Sequence, residues 1–159
     1  MGEKAQMGDD RADTRMTRKL IDGLYVEAML LVDEARSYFD DGGRADRDRL
    51  DPMTRVSFSC ESLRVTTRLM HVVAWLLTRR AIDAGEIGEA QGREPQRRLG
   101  DAADSDPVTV AAMPGPAQGL IRASTELYGR VRRLDRGLDS DTPAASPARS
   151  LFRRLEGAF

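Results

Sequence analysis

One cysteine, one histidine and one tryptophan occur in 159 residues, and aromatic residues make up 5% of the chain. The lone Cys60 excludes an intrachain disulfide, and with it the stapled secreted scaffold. A single His and a single Cys cannot assemble the Glu-x-x-His pairs of a helical-bundle metal centre, so no metal or cofactor is expected. The longest apolar run, "LMHVVAWLL" at 69–77, is about half a membrane span. The opening "MGEKAQMGDDRADTR" holds no apolar export segment, which makes the cytoplasm the expected compartment. No charge of one sign predominates: the formal net charge is -1 and the pI about 5.9. That balance offers no general attraction to phosphate backbones or anionic lipid, so neither nucleic acid nor membrane is an expected partner. Lysine is nearly missing, since only Lys4 and Lys19 among 25 basic residues are not arginine. This fits a GC-rich genome as well as a demand for bidentate anion contacts.

What is present points to helix. Ala, Leu and Arg dominate, and the class expected is all-α: a three-helix bundle with a long second helix, a disordered N-terminus and a flexible C-terminal tail. Residues 1–16 show no periodicity and are expected to be disordered. From 17 to 40, Ile21, Leu24, Tyr25, Ala28, Leu31, Val32, Ala35, Tyr38 and Phe39 follow the three-and-four spacing of an amphipathic helix, and "DDGGR" stops it. Pro52 suits the first turn of a second helix over 52–84, ended by Gly85. Residues 85–116 read as a long loop with a turn near "PQRRL". A third helix spans 117–138 through Leu120, Ile121, Ser124, Leu127, Tyr128, Val131, Leu134 and Leu138. Together 17–138 form the bundle domain, and 139–159 a flexible tail.

The second helix carries two apolar faces. At about 100° per residue, Val56, Cys60, Leu63, Thr66, Thr67, Met70, Val73, Ala74, Leu77 and Ala81 share a broad sector, which is expected to face the core. Opposite it, Val65, Leu69, Val72 and Leu76 form a narrow stripe. In a three-helix bundle both neighbours lie on one inward side, so the stripe needs a cover. A second copy of the chain, making a homodimer along the stripe, is one cover; the long loop folding over it is the other. Beside the stripe, Glu61, Arg64, Arg68, Trp75 and Arg79 make a basic ridge of the residue types that protein interfaces favour. The same arginines could instead pair with Asp22, Glu27, Asp33 and Glu34 of the first helix.

No catalytic constellation accompanies these faces. His71 reads as a packed histidine one turn from Trp75, Cys60 as a small hydrophobe, and Thr66 and Thr67 as packing residues. There is no phosphate loop, nucleophile elbow or CxxC. A binding module, and not an enzyme, is expected.

"LYVEAMLLVDEARSYFD" at 24–40 and "SCESLRVTTRLMHVVAWLLTRRAIDAGE" at 59–86 together resemble an alphaproteobacterial family whose named member is the regulator of CtrA degradation. The resemblance rests on Asp33-Glu34-Ala35-Arg36, Thr66-Thr67-Arg68-Leu69-Met70 and Ala74-Trp75-Leu76-Leu77, and covers a little over a quarter of the chain. It implies a dimeric three-helix bundle acting as an adaptor for the ATP-dependent protease ClpXP. Such an adaptor joins a response-regulator partner at the protease unfoldase and delivers cell-cycle regulators as protein cargo. The long loop and the tail carry no motif matched to that family. The tail's own pattern, Leu151, Phe152, Arg153, Arg154, Leu155 and Phe159 behind a Pro/Ser/Ala linker, reads as a tethered peptide for a partner's groove. The rival function is a dimeric nucleic-acid-associated regulator using "RVRRLDR" at 130–136 with Arg64, Arg68 and Arg79.

Overall fold

The tetrapeptide Asp-Pro-x-Thr occurs twice, at 51–54 and 106–109, and in the computed structural model, which describes residues 3–141, each copy starts a helix. Asp51 accepts from the Thr54 backbone N–H at 3.2 Å, and Asp106 accepts from that of Thr109 at 3.1 Å. Each aspartate thus satisfies a donor that the first turn leaves free, and the proline behind it has no N–H to lose. The elements are α1 (Glu3–Ser37), α2 (Arg44–Asp48), α3 (Pro52–Asp83), α4 (Glu89–Gly92), α5 (Pro107–Ala111) and α6 (Gly115–Asp141). A π turn at Tyr38–Gly42 follows α1, and a 3-10 turn at Pro95–Arg97 precedes Arg98. At 32 residues α3 is about 48 Å long. Gly85, at φ 73°, supplies the left-handed residue beyond its end.

The first helix starts earlier than the periodicity suggests, at Glu3 instead of near Thr17. Residues 7–20 are exposed all round. That stretch has no proline and mixes acids with arginines, so intrahelical bonding continues without an apolar face.

α1, α3 and α6 form the bundle. The first two are antiparallel: Asp22 meets Arg80 at 3.5 Å near one end, and Tyr38 lies beside Phe58 at the other. In contrast α6 runs parallel to α3, with Ser124 beside Arg68 and, further along both helices, Asp135 beside Trp75. Parallel neighbours require a return path, which explains why 85–114 is long. It runs back along α3 and α6 as a strap. Arg98 reaches Asp135 and Asp139, Tyr128 donates to Gly100 O at 2.8 Å, and Arg68 donates to Ala103 O at 3.0 Å.

Ile21, Leu24, Ala28, Leu31 and Ala35 of α1 pack against Phe58, Val65, Leu69, Val72 and Leu76 of α3 and Leu120, Ile121, Leu127 and Val131 of α6. Tyr38, Phe39 and Phe58 close one end as a ring cluster with centroids 5.2–6.2 Å apart. Tyr38 donates to Asp46 of α2 at 2.9 Å, and burial together with that carboxylate pushes its ionisation far above the ordinary tyrosine range.

The two faces of α3 are the reverse of the expectation. Val65, Leu69, Val72 and Leu76 are 0%, 2%, 0% and 0% exposed and belong to the core, each contributing about 1.5–3 kcal/mol of transfer free energy. The broad sector points outward, with Val56, Leu63, Met70 and Leu77 at 59%, 68%, 67% and 47% exposed. Leu69 and its companions are therefore covered within one chain, and the opposite side of α3 is the one left exposed.

Candidate partner-docking face

The outward face of α3 has a regular construction. Val56, Leu63, Met70 and Leu77 recur every seven residues, and Cys60, Thr67, Ala74 and Ala81 follow each by four. This 4-3 alternation is the seam of a coiled coil, with large residues at one position and small ones at the other. Over about 38 Å no charged side chain falls on the seam. Thr66 and Thr67 turn their hydroxyls onto the carbonyls of Ser62 and Leu63, at 3.0 and 2.9 Å, and so present methyl groups. Cys60 is exposed on this face.

Beside the seam, α1 and α3 splay to leave a groove of about 470 Å³. Met29, Val32, Ala35 and Phe39 line one wall, and Leu69, Met70, Val73 and Leu77 the other, with Arg36 and Asp40 at the rim. Its lining is mostly apolar, yet no segment among the described residues lies over it. An exposed apolar strip of this extent marks an interaction site.

The expected ridge lies elsewhere, as the seat of the strap. Glu61 and Arg68 are 0% and 2% exposed, and Trp75 is also buried. Arg64 donates to Glu61 at 2.6 Å. Arg68 donates to Ser105 Oγ at 2.6 Å and to Ser124 Oγ at 3.4 Å, while the Ser105 hydroxyl donates to Glu61 at 2.5 Å. Burial pushes the Arg68 guanidinium below the ordinary arginine value, and the charges of Glu61 and Asp104 pull it back up. Trp75 Nε1 donates to Asp135 at 2.8 Å, and Arg79 pairs with Glu89 of α4 at 3.5 Å. Arg68, Glu61, Trp75 and Arg79 pair with the strap and with α6, and not with the acids of α1. The α1 acids Asp22 and Glu27 instead meet Arg80 and Arg130.

In the sequence "PQRRL" signals only a turn, yet in the structure its Arg98 clamps the strap to α6. Its guanidinium spans Asp135 at 2.9 Å and Asp139 at 2.8 Å. Hydrogen bonds to Asp139 and then Asp135 raise its pKa, and the same contact holds the Asp139 carboxyl below its usual value. His71 is half-buried beneath Gly100, where an added Cβ would overlap the imidazole ring. In "RVRRLDR", Val131 and Asp135 are buried, Arg130 pairs with Glu27, and Arg132 lies over the Tyr128 ring at 5.6 Å. Leu151, Phe152, Arg153, Arg154, Leu155 and Phe159 fall outside the described residues.

Comparison with known proteins decides the family. No curated protein matches the chain. A family model described as a protein of unknown function, DUF1465, matches residues 12–159. The crystal structure of RcdA from Caulobacter crescentus CB15 is 34% identical, superposes with a TM-score of 0.62, and is matched over 75% of this chain and 90% of that one. The chain belongs to the regulator of CtrA degradation family. For this family member, the two helices that carry the resemblance in sequence are α1 and α3, which together line the groove, with the seam on α3. No helix among its described residues is long and apolar enough to cross a membrane.

Proposed function

We propose that this chain is a non-enzymatic, cytoplasmic adaptor that brings protein cargo to an ATP-dependent protease of the ClpXP type. The observation that supports the reading is the uncharged heptad seam of α3, exposed beside an apolar groove. Such a surface takes an amphipathic helix, which cargo proteins can present without any chemistry being required of the adaptor. The seam is also self-complementary, so two copies pair through it as a homodimer. Family membership supports regulated proteolysis as the setting; an unfoldase and a response-regulator-type protein are the further partners that the sequence resemblance implies. The motif at 151–155 and Phe159 offers a second, tethered contact to one of them.

Affinity capture from the native cytoplasm tests this, comparing the parent with the Leu63→Glu/Met70→Glu double variant. Both positions are solvent-exposed, so the variant folds. The parent is expected to bring down protease subunits together with cargo proteins, the variant to lose cargo, and sedimentation equilibrium to show the variant as monomer. Equal cargo recovery by both, or recovery of nucleic acid without protease subunits, would sink the proposal.

A further inference from the structure

The groove between α1 and α3 has an occupant within reach in its own chain. Because α6 is parallel to α3, Asp141 lies at the same end of the bundle as Asp83, the end toward which the Leu77 side of the groove opens. Leu151 is ten steps along the chain from Asp141, a reach of up to about 35 Å. Neighbouring helix axes in a bundle are only about 8–10 Å apart, so this reach exceeds the path around one helix. Phe152, Leu155 and Phe159 follow Leu151 by one, four and eight residues, which is the spacing of one helical face. Arg149, Arg153 and Arg154 flank them. On the α1 side, the groove's rim carries Asp40, and Asp33 is exposed one turn beyond Met29, with Arg36 between the two acids. An apolar face thus meets an apolar groove whose lining carries one acid, Asp40, and one base, Arg36.

We propose that residues 149–159 fold back in cis into the α1/α3 groove, screening Met29, Val32, Met70 and Val73 until a partner displaces them. A linker of this length sets an effective concentration of order mM, so even a weak contact keeps the groove filled. The proposal rests on the groove, the reach and the spacing, and stands or falls apart from any role in proteolysis.

Methyl NMR of the methionine-labelled full chain tests it, because Met29 and Met70 line the groove while Met53 and Met113 do not. Ending the chain after Ala148 is expected to shift the Met29 and Met70 methyl signals and leave Met53 and Met113 in place. The full-length Leu151→Glu/Phe152→Glu variant should reproduce the truncated spectrum, and a synthetic 149–159 peptide should return the truncated chain toward the parent's. On dilution the signal of Met29, which lines the groove from α1 and lies off the seam, should not change. Unchanged Met29 and Met70 signals on truncation, a glutamate variant that keeps the parent spectrum, or a Met29 signal that moves with protein concentration would each overturn seating in cis. The last result would assign the contact to a second copy's tail.

Discussion

Arg68 gives up nearly all its hydration, and in return its guanidinium engages Ala103 O, Ser105 Oγ and Ser124 Oγ, tying the strap to α3 and α6 at once. Breaking such a buried charge network from one side leaves the other partners desolvated. Arg68→Met is therefore expected to lower stability by about 3 kcal/mol in urea unfolding, although methionine fills much of the same volume. A loss below about 1 kcal/mol would mean that Arg64 alone satisfies Glu61. At the surface, Asp51 acts through proton linkage. Its hydrogen bonds to Thr54 hold the folded carboxyl below its ordinary value. The stabilisation is thus full above the unfolded value of about 4 and fades as pH falls through the lower folded value. The gap in urea midpoint between the parent and Asp51→Ala should be flat from pH 7 to about pH 5 and close below about pH 4. A gap that widens with acid would contradict the linkage.

At the scale of elements, the strap is held by polar groups, by Leu99, Ala102, Val110 and Met113 packed on the core, and by two close approaches, Gly92 on Ile82 and Gly100 over His71. Gly100→Ala cannot keep the second approach. It should cost about 1–3 kcal/mol and raise amide exchange across 98–105 while leaving exchange in α1 unchanged. Unaltered exchange across 98–105 would show that the imidazole simply moves aside. The three long helices are legible in the sequence because α1 and α6 each have a single apolar stripe, and Asp51, Pro52 and Gly85 punctuate α3. Which face of α3 looks inward is not legible. Its core stripe includes Glu61 and Arg68, whose charges make that side read as surface, while the outer seam, rich in Thr, Ala and Met, looks broader and greasier. Only the strap reverses the reading, since it supplies Ser105 and the Ala103 carbonyl, and "DAADSD" does not reveal that it will lie over α3. The same inversion moves the proposed docking face from Leu69 and Leu76 to Leu63 and Met70.

For the whole molecule, the arrangement of three long helices divides its contacts by sequence distance. Tyr38, Phe39 and Phe58 bring α1 and α3 together across a short turn, whereas Arg68 and Ser124 are 56 residues apart and Trp75 and Asp135 are 60 apart. The strap also has to settle between two helices that must both be in place to receive it.

Because α6 is parallel to α3, folding acquires an order. The α1–α3 hairpin can zip from its ring cluster before the long return is closed, since loop-closure entropy weighs more on distant contacts. Stopped-flow refolding should then show Leu31→Ala, at the hairpin interface, slowing folding, and Val131→Ala, in α6, chiefly speeding unfolding. The reverse pattern would mean that α6 nucleates the bundle. With the hairpin first, the seam and the groove exist before the helix that completes the core arrives, and the chain's docking face is the earliest part of it to take shape.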